Sequence, residues 1–332
     1  MSAVVVSARL PRLRVSGMTW VSWRQHRSAL AAVAVVLGAF SAVLLAHGSG
    51  MHDAYHRLGL DVCRPLHSDA CGAATDLFSQ RYATIADLVP RILTFLPALL
   101  GAFVGAPLVA RELESGTFRF AWTQGTDRTR WIVAKLLMVG GTLLVVASAF
   151  TLVFAWWFDP WIPLVGRMAS GQAYEVEGTV FVARTLFGFA LGAFLGVIIK
   201  RTVPAIAATL GVWFAVVFLS VVYLRPMIQE PLVAAEGMGT STDGWVIDEW
   251  FQNRAGHHLS DIEMNALMGG PGKTNLGRSI DQLLAQNGIR HMVQYQPGSR
   301  FWHFQIVETV GYGVVTLLLG AATVWWVRRR TS

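Results

Sequence analysis

The chain reads as an all-α polytopic membrane protein of six transmembrane helices with both termini on the inner side, and three observations predict it. Hydrophobic residues make up 54% of its 332 residues and charged ones only 14%, well away from soluble usage. Long polar loops hold the mean hydropathy to +0.47. Six apolar runs, at 28–46, 88–110, 131–158, 179–199, 203–224 and 304–327, are each long enough to cross a bilayer as a helix. The basic residues are shared unevenly. With the N-terminus inside, 15 of the 27 Lys and Arg fall on the short inner segments and span ends, and 17 of the 20 acids fall outside, which is the positive-inside bias. This inner surplus of positive charge suits an anionic leaflet or an acidic protein surface and argues against nucleic acid.

Residues 1–17 carry Arg9, Arg12 and Arg14 without an acid and precede a second methionine, Met18; they read either as a disordered basic extension touching anionic lipid or as an artefact of start-site choice. Residues 18–332 form a single transmembrane domain. The first apolar run has 19 residues behind a basic stretch of 27, longer than the roughly 7–15 residues of a signal peptide's apolar region, so it is retained as span one. Residues 18–27 interleave Trp20 and Trp23 with Arg24, His26 and Arg27, as an interfacial helix does.

In the outer segment 47–87, His52 and His56 stand at i and i+4, the spacing of zinc ligands on one helix face. The motif lacks a zinc peptidase's glutamate and a third ligand, so an exposed helical extension is expected and no metal is assigned. Cys63 and Cys71 are the two cysteines of the chain, and an even pair in an oxidising compartment forms a disulfide closing a short loop. Two free thiols are the alternative. Asp87 and Arg91 are placed to pair at i, i+4.

Span two carries Gly101-x-x-x-Gly105 between Pro97 and Pro107, a small-residue face on a span the prolines would kink. Span four carries Gly188, Gly192 and Gly196, a groove of about two turns. The groove serves packing within the chain or a surface for a second copy or a transported molecule. Lys200-Arg201-Thr202 makes a tight inner turn. The largest outer segment, 225–303, is expected to hold helical pieces at 243–254 and 279–289, and it contains no cysteine. Its Gly269–Thr274 stretch imitates a phosphate loop, but Leu267 stands where the pattern requires glycine; no nucleotide site is assigned. His257, His258 and Asp261 are likewise assigned no metal. Four spans carry one charge each, Arg91, Lys135, Arg184 and Glu308, near an end and not at the midplane. Glu308 would pair with Arg184 if spans four and six are neighbours.

The stretch the rest is organised around is VARELESGTFRFAWTQGTDRTRWIVAK, Val109 to Lys135. Arg111, Glu112 and Glu114 carry a helix out of span two, and Ser115-Gly116-Thr117 breaks it. Phe118, Phe120 and Trp122 alternate with Arg119 and Ala121, and a second break leads to Arg128 and Arg130. The two-residue repeat alone is closer to a strand's period; as a whole the segment suits a short interfacial element.

Arg-Glu-x-Glu-x-Gly-Thr at the inner end of span two, the basic turn, and Lys135 early in span three resemble the permease subunit of type-2 ABC exporters. Met18–Arg27 and Tyr295–Trp302 resemble the permeases of this family common in actinobacteria. The resemblance implies a coupling helix between spans two and three that docks on a cytoplasmic ATPase subunit. Arg111, Glu112, Glu114, Arg119, Arg128 and Arg130 would supply its charged register. Gly116 and Thr117 would permit the turn, and Trp122 with Phe118 and Phe120 would seat it.

The resemblance further implies a non-catalytic chain in a bacterial plasma membrane, working with two ATPase copies and a second permease copy, identical or paralogous. ATP and Mg would sit on the ATPase and no cofactor in this chain. Two other readings remain. A secondary transporter would place an ionisable group deep in a span. A membrane-bound sensor or enzyme would need a convergent polar cluster in the outer segments.

Overall fold

The computed structural model describes residues 16–63, 69–116, 127–168, 171–235, 244–267, 284 and 287–330. Residues 1–15 of the basic extension, 117–126 of the central stretch and 268–283 with the phosphate-loop look-alike lie outside them. Among the described residues, six helices are long and apolar enough to cross a membrane. Span one lies in α1 (Ser16–Arg57), which is continuous. Residues 18–27 are therefore not a separate interfacial helix; no proline interrupts the ladder between Ser16 and Arg57.

Span two is a broken rod of α2 (Asp69–Leu93), α3 (Leu96–Leu100), a π-turn at Gly101–Gly105 and α4 (Ala106–Ser115). The breaks follow the prolines. Pro97 and Pro107 each stand second in a helical segment, and since proline has no N–H, the ladder resets before it, at Pro97 through a tight turn at Thr94–Phe95 and at Pro107 through the wider π-turn. Span three is α5 (Arg128–Phe158), carried on by a 3-10 turn at Asp159–Trp161 and a helical turn at Ile162–Val165 before α6 (Gly171–Val176). Span four is α7 (Thr179–Ile199), and span five begins with α8 (Thr202–Leu219) and runs on through a second π-turn at Ser220–Leu224. Lys200 between them takes a left-handed conformation, φ 58°, and closes the tight turn.

The segment between spans five and six corrects the all-α expectation. It holds an antiparallel sheet of β1 (Leu232–Ala235), β2 (Trp245–Gln252) and β3 (Arg290–Gln296), in the order β1-β3-β2, and the short helix α9 (Asp261–Leu267). The expected helix at 243–254 is mostly strand β2. Its sequence, WVIDEWFQ, is β-branched and aromatic, but a bulge between Val246 and Asp248 inserts an extra residue and spoils the two-residue alternation that marks a strand. Of the expected helix at 279–289, residues 284 and 287–289 are described; Leu284 is helical and Asn287–Gly288 form a turn.

Span six is α10 (Phe301–Arg330). The sheet is moored to the bundle by apolar packing: Trp245 meets the Phe304 ring edge-on at 6.4 Å, beside buried Met168, Tyr174, Val180 and Phe301. Alternation of the spans puts the sheet, α6 and the Cys63–Cys71 bond at one end, here the sheet end. Ser115, Arg128 and Lys200 lie at the other.

Candidate functional site

At the end opposite the sheet, the chain before and after the central stretch is tied into the bundle by its acids. Gly116 ends α4 with φ 72°, a left-handed position that glycine takes without steric cost. Just before it, Glu112 forms a short ion pair with the ammonium of Lys135. Lys135 is fully buried, about two turns into span three, with its charge 4.4 Å from the centre of the Trp131 ring. Glu114 reaches across to span five and accepts hydrogen bonds from the Thr202 backbone N–H at 2.9 Å and from its hydroxyl at 2.7 Å. That geometry caps the start of α8, whose first amides have no partner in their own helix. Arg111 and Arg130 are exposed at this end, while Arg128 is half-buried. Thr117, Arg119 and Trp122 lie outside the described residues.

Within the bundle the glycines face one another across spans two and four. A Cβ on Gly101 would lie 2.5 Å from the Gly188 backbone, one on Gly192 2.5 Å from the Gly101 carbonyl, and one on Gly196 2.5 Å from the Ala106 carbonyl. Gly105 meets Phe189 in the same way, at 2.4 Å. The seam packs the chain against itself.

Toward the sheet end, four charged side chains from four elements meet in the interior. Arg184 of span four is bonded to Glu175 of α6 and, at 3.1 Å, to Glu308 of span six. Arg225, just past span five, bonds the same two carboxylates at 2.7 Å and 2.6 Å. All four are buried. Tyr174 donates to Glu308 at 3.1 Å; burial, with that carboxylate beside it, pushes the phenol well above its usual range and keeps it a donor. Two arginines facing two glutamates leave no net charge, the condition under which ions tolerate burial.

Nearby, Gln305 of span six accepts from the backbone N–H groups of Thr179 and Val180, each at 2.9 Å, and donates to the carbonyls of Tyr174 and Glu177. One side-chain amide thus caps span four. Glu177 is almost fully buried, 3.0 Å from Arg167, and burial raises its carboxyl to about 7.

Cys63 and Cys71 are joined by a disulfide. The His pair does not converge: His52 stacks on Trp156 and contacts its carbonyl at 3.0 Å, while His56 faces Asp61 at 3.3 Å. Among the described residues no group of His, Cys, Asp or Glu is placed to hold a metal.

A family described as ABC-2 membrane transporter related matches residues 32–225, more than half of the chain. The chain belongs to this family. Comparison with curated proteins and with solved structures returned no match. The ABC-2 match takes in spans one to five and the central stretch, and stops at Arg225, before the sheet and span six.

In this ABC-2 protein the pairing of Glu308 with Arg184 was legible from two lone charges near the ends of spans. Glu175 and Arg225 were missed as members of the same cluster, because each falls in a segment that reads as a loop. The available signal was Arg225 directly after an apolar run, where a cation has to find a partner or water. Glu112 and Glu114, read as docking charges, have partners inside their own chain.

Proposed function

We propose that this chain is the transmembrane subunit of an ATP-driven exporter, of the type common in actinobacteria and set in a bacterial plasma membrane. Two copies, identical or paralogous, would work with two ATPase subunits that hold the ATP and Mg. The observation that carries this reading is the anchoring of the central stretch. It leaves span two at Glu112 and Glu114, which grip span three through Lys135 and span five through Thr202. A push on residues 116–127 from outside the membrane would therefore be felt by three spans at once, as a change of access needs.

The secondary-transporter reading would require a buried acid that exchanges protons. Glu308, the acid within span six, is instead held by two arginines, and a proton would have to displace a guanidinium; Glu177, whose carboxyl is raised to about 7, lies between spans three and four and not within one. Exposed Arg111 and Arg130 are the described residues best placed to meet an acidic ATPase surface.

The test is co-purification of the chain with the ATPase encoded beside it, wild type against Arg111→Glu/Arg130→Glu. Retained folding with loss of the ATPase, or of ATP turnover in the complex, is the expected result. Failure of any ATPase to bind the wild-type chain overturns the proposal.

A further inference from the structure

Spans one and three run side by side in the same direction. At the sheet end the indoles of Trp157 and Trp161 donate to His47 and Met51, each at 3.2 Å and each 110 residues away in the chain. Carried down the two helices, that offset sets Arg27 level with Leu137, just past the buried Lys135. There, toward the end opposite the sheet, the two spans leave a groove of about 440 Å³ lined by Arg27, Ser28, Leu30, Ala31, Ala34 and Thr142. Leu30 is buried, while Ala31 and Ala34 are exposed and present only methyl groups. Val35 and Leu137 beside them are exposed by 69% and 71% on helices apolar enough to cross a membrane. The groove therefore faces lipid.

Its polar end is Arg27 and Ser28. Arg27 directly precedes the apolar run 28–46, so its guanidinium stands at the level where lipid headgroups meet the hydrocarbon. Both side chains are exposed, and neither has a hydrogen-bond or ion-pair partner among the described residues. Two acids of this end are engaged elsewhere, Glu112 with Lys135 and Glu114 with Thr202. A cation on a lipid-facing helix without a carboxylate of its own chain is compensated by an anion from outside. A phosphodiester supplies acceptor oxygens to the guanidinium and to the hydroxyl together. No Asp or Glu is among the residues lining the groove, so a headgroup amine would meet only a like charge there.

We infer that this groove holds one anionic glycerophospholipid whose headgroup carries no amine, of the phosphatidylglycerol kind. Its phosphate sits on Arg27 and Ser28, and an acyl chain lies along Ala31 and Ala34 between spans one and three.

The probe is phosphatidylglycerol with a diazirine on one acyl chain, which loses nitrogen on illumination and inserts its carbene into a nearby C–H bond. It is added as a minor lipid to phosphatidylcholine nanodiscs holding the purified full chain, and the adducts are mapped by mass spectrometry. Saturable labelling centred on residues 30–38 and 138–146 is expected. Unlabelled phosphatidylglycerol should compete, phosphatidylethanolamine should compete roughly tenfold less, and inorganic phosphate should not compete. Arg27→Gln should weaken labelling roughly tenfold, the scale of one hydrogen bond to a charged group. Arg329→Gln removes the same charge from an exposed position at the same end of span six and should leave labelling unchanged.

Ala34→Trp fills the groove from an exposed position and should abolish labelling at an unchanged melting temperature. Where that variant melts early, Ala31→Trp, one turn back, is read in its place. Labelling that never saturates, that spreads evenly over the ends of all spans, that survives Arg27→Gln or both tryptophans, or that falls as far in Arg329→Gln overturns the inference. Equal competition by phosphatidylethanolamine, or competition by inorganic phosphate, does so too. So does absent labelling together with disulfide cross-linking of Ala31→Cys between two copies, which would make this face a dimer contact. The labelling needs no ATPase, so the site stands or falls apart from the exporter reading.

Discussion

Lys135 and Glu177 are two buried charges with different degrees of compensation, and they make different predictions. Lys135 has a close carboxylate partner and an aromatic face. Glu112→Leu leaves the fully buried Lys135 charge without its partner and should destabilise the chain by about 3–5 kcal/mol, and Lys135→Met, which leaves the half-buried Glu112, should cost less. The double variant, in which neither charge remains, should recover most of that, and thermal melting in detergent measures both. A cost confined to Glu112→Leu, with Lys135→Met silent, would remove the pair from the account.

Glu177 faces Arg167, with Asp159 nearby, and has one oxygen without a hydrogen-bond partner. Its folded pKa of about 7 lies above the ordinary 4.5, so the native state holds the proton more tightly than the unfolded chain. That contribution is complete below the ordinary value and is lost as pH rises through about 7. Stability should therefore fall between about pH 5 and pH 8 by roughly 1–3 kcal/mol, and Glu177→Gln should flatten this slope. A parallel slope in the variant would locate the titration elsewhere.

Whole elements are held by two devices, a glycine seam and side-chain caps. Spans two and four approach until glycine backbones touch, which lets dispersion act between backbones where lipid supplies no hydrophobic drive. Gly192→Ala would set a methyl against the Gly101 carbonyl and the Ala106 nitrogen, at 2.5 and 2.7 Å. Both are backbone atoms that a rotamer change cannot move. A loss of about 1–3 kcal/mol is expected, against no loss for Gly141→Ala, whose Cβ would meet nothing within 4 Å. Comparable melting of the two variants would show that the seam is not a close contact. The caps work the same way at span ends: Glu114 serves span five and Gln305 span four, each satisfying helix amides that apolar surroundings would otherwise leave bare.

At the scale of the molecule, the charge cluster joins spans four and six to α6 and to the end of span five. This changes the outcome expected of a charge swap. Were Arg184 and Glu308 an isolated pair, exchanging them would restore a lost contact. Here the exchange would set a carboxylate against Glu175 and a guanidinium against Arg225, and the swap should melt at least as early as either single variant. Recovery in the swap would mean that Glu175 and Arg225 contribute little. The sheet follows the same logic, since it has no disulfide of its own and rests on Trp245 packed against Phe304.

Much of this organisation is written locally. Apolar runs of about 20 residues cannot be satisfied in water, and the six runs in the sequence fall in the six helical stretches that are long and apolar enough to cross a membrane among the described residues. Cys63 and Cys71, eight residues apart, had no other cysteine to meet. Other features rest on contacts between residues far apart in the chain. Glu112 and Glu114 look alike as neighbours on one charged turn, yet one neutralises Lys135 and the other caps span five, because helix packing brings different partners to each. The strand at 245–252 was hidden by a bulge that exists only against β3. Glu175 and Arg225 read as loop charges until the fold set them around Arg184 and Glu308. Hydrophobic length is a property of a segment and can be read from it. Compensation of a buried charge belongs to a pair, and which pair forms depends on where the helices cross.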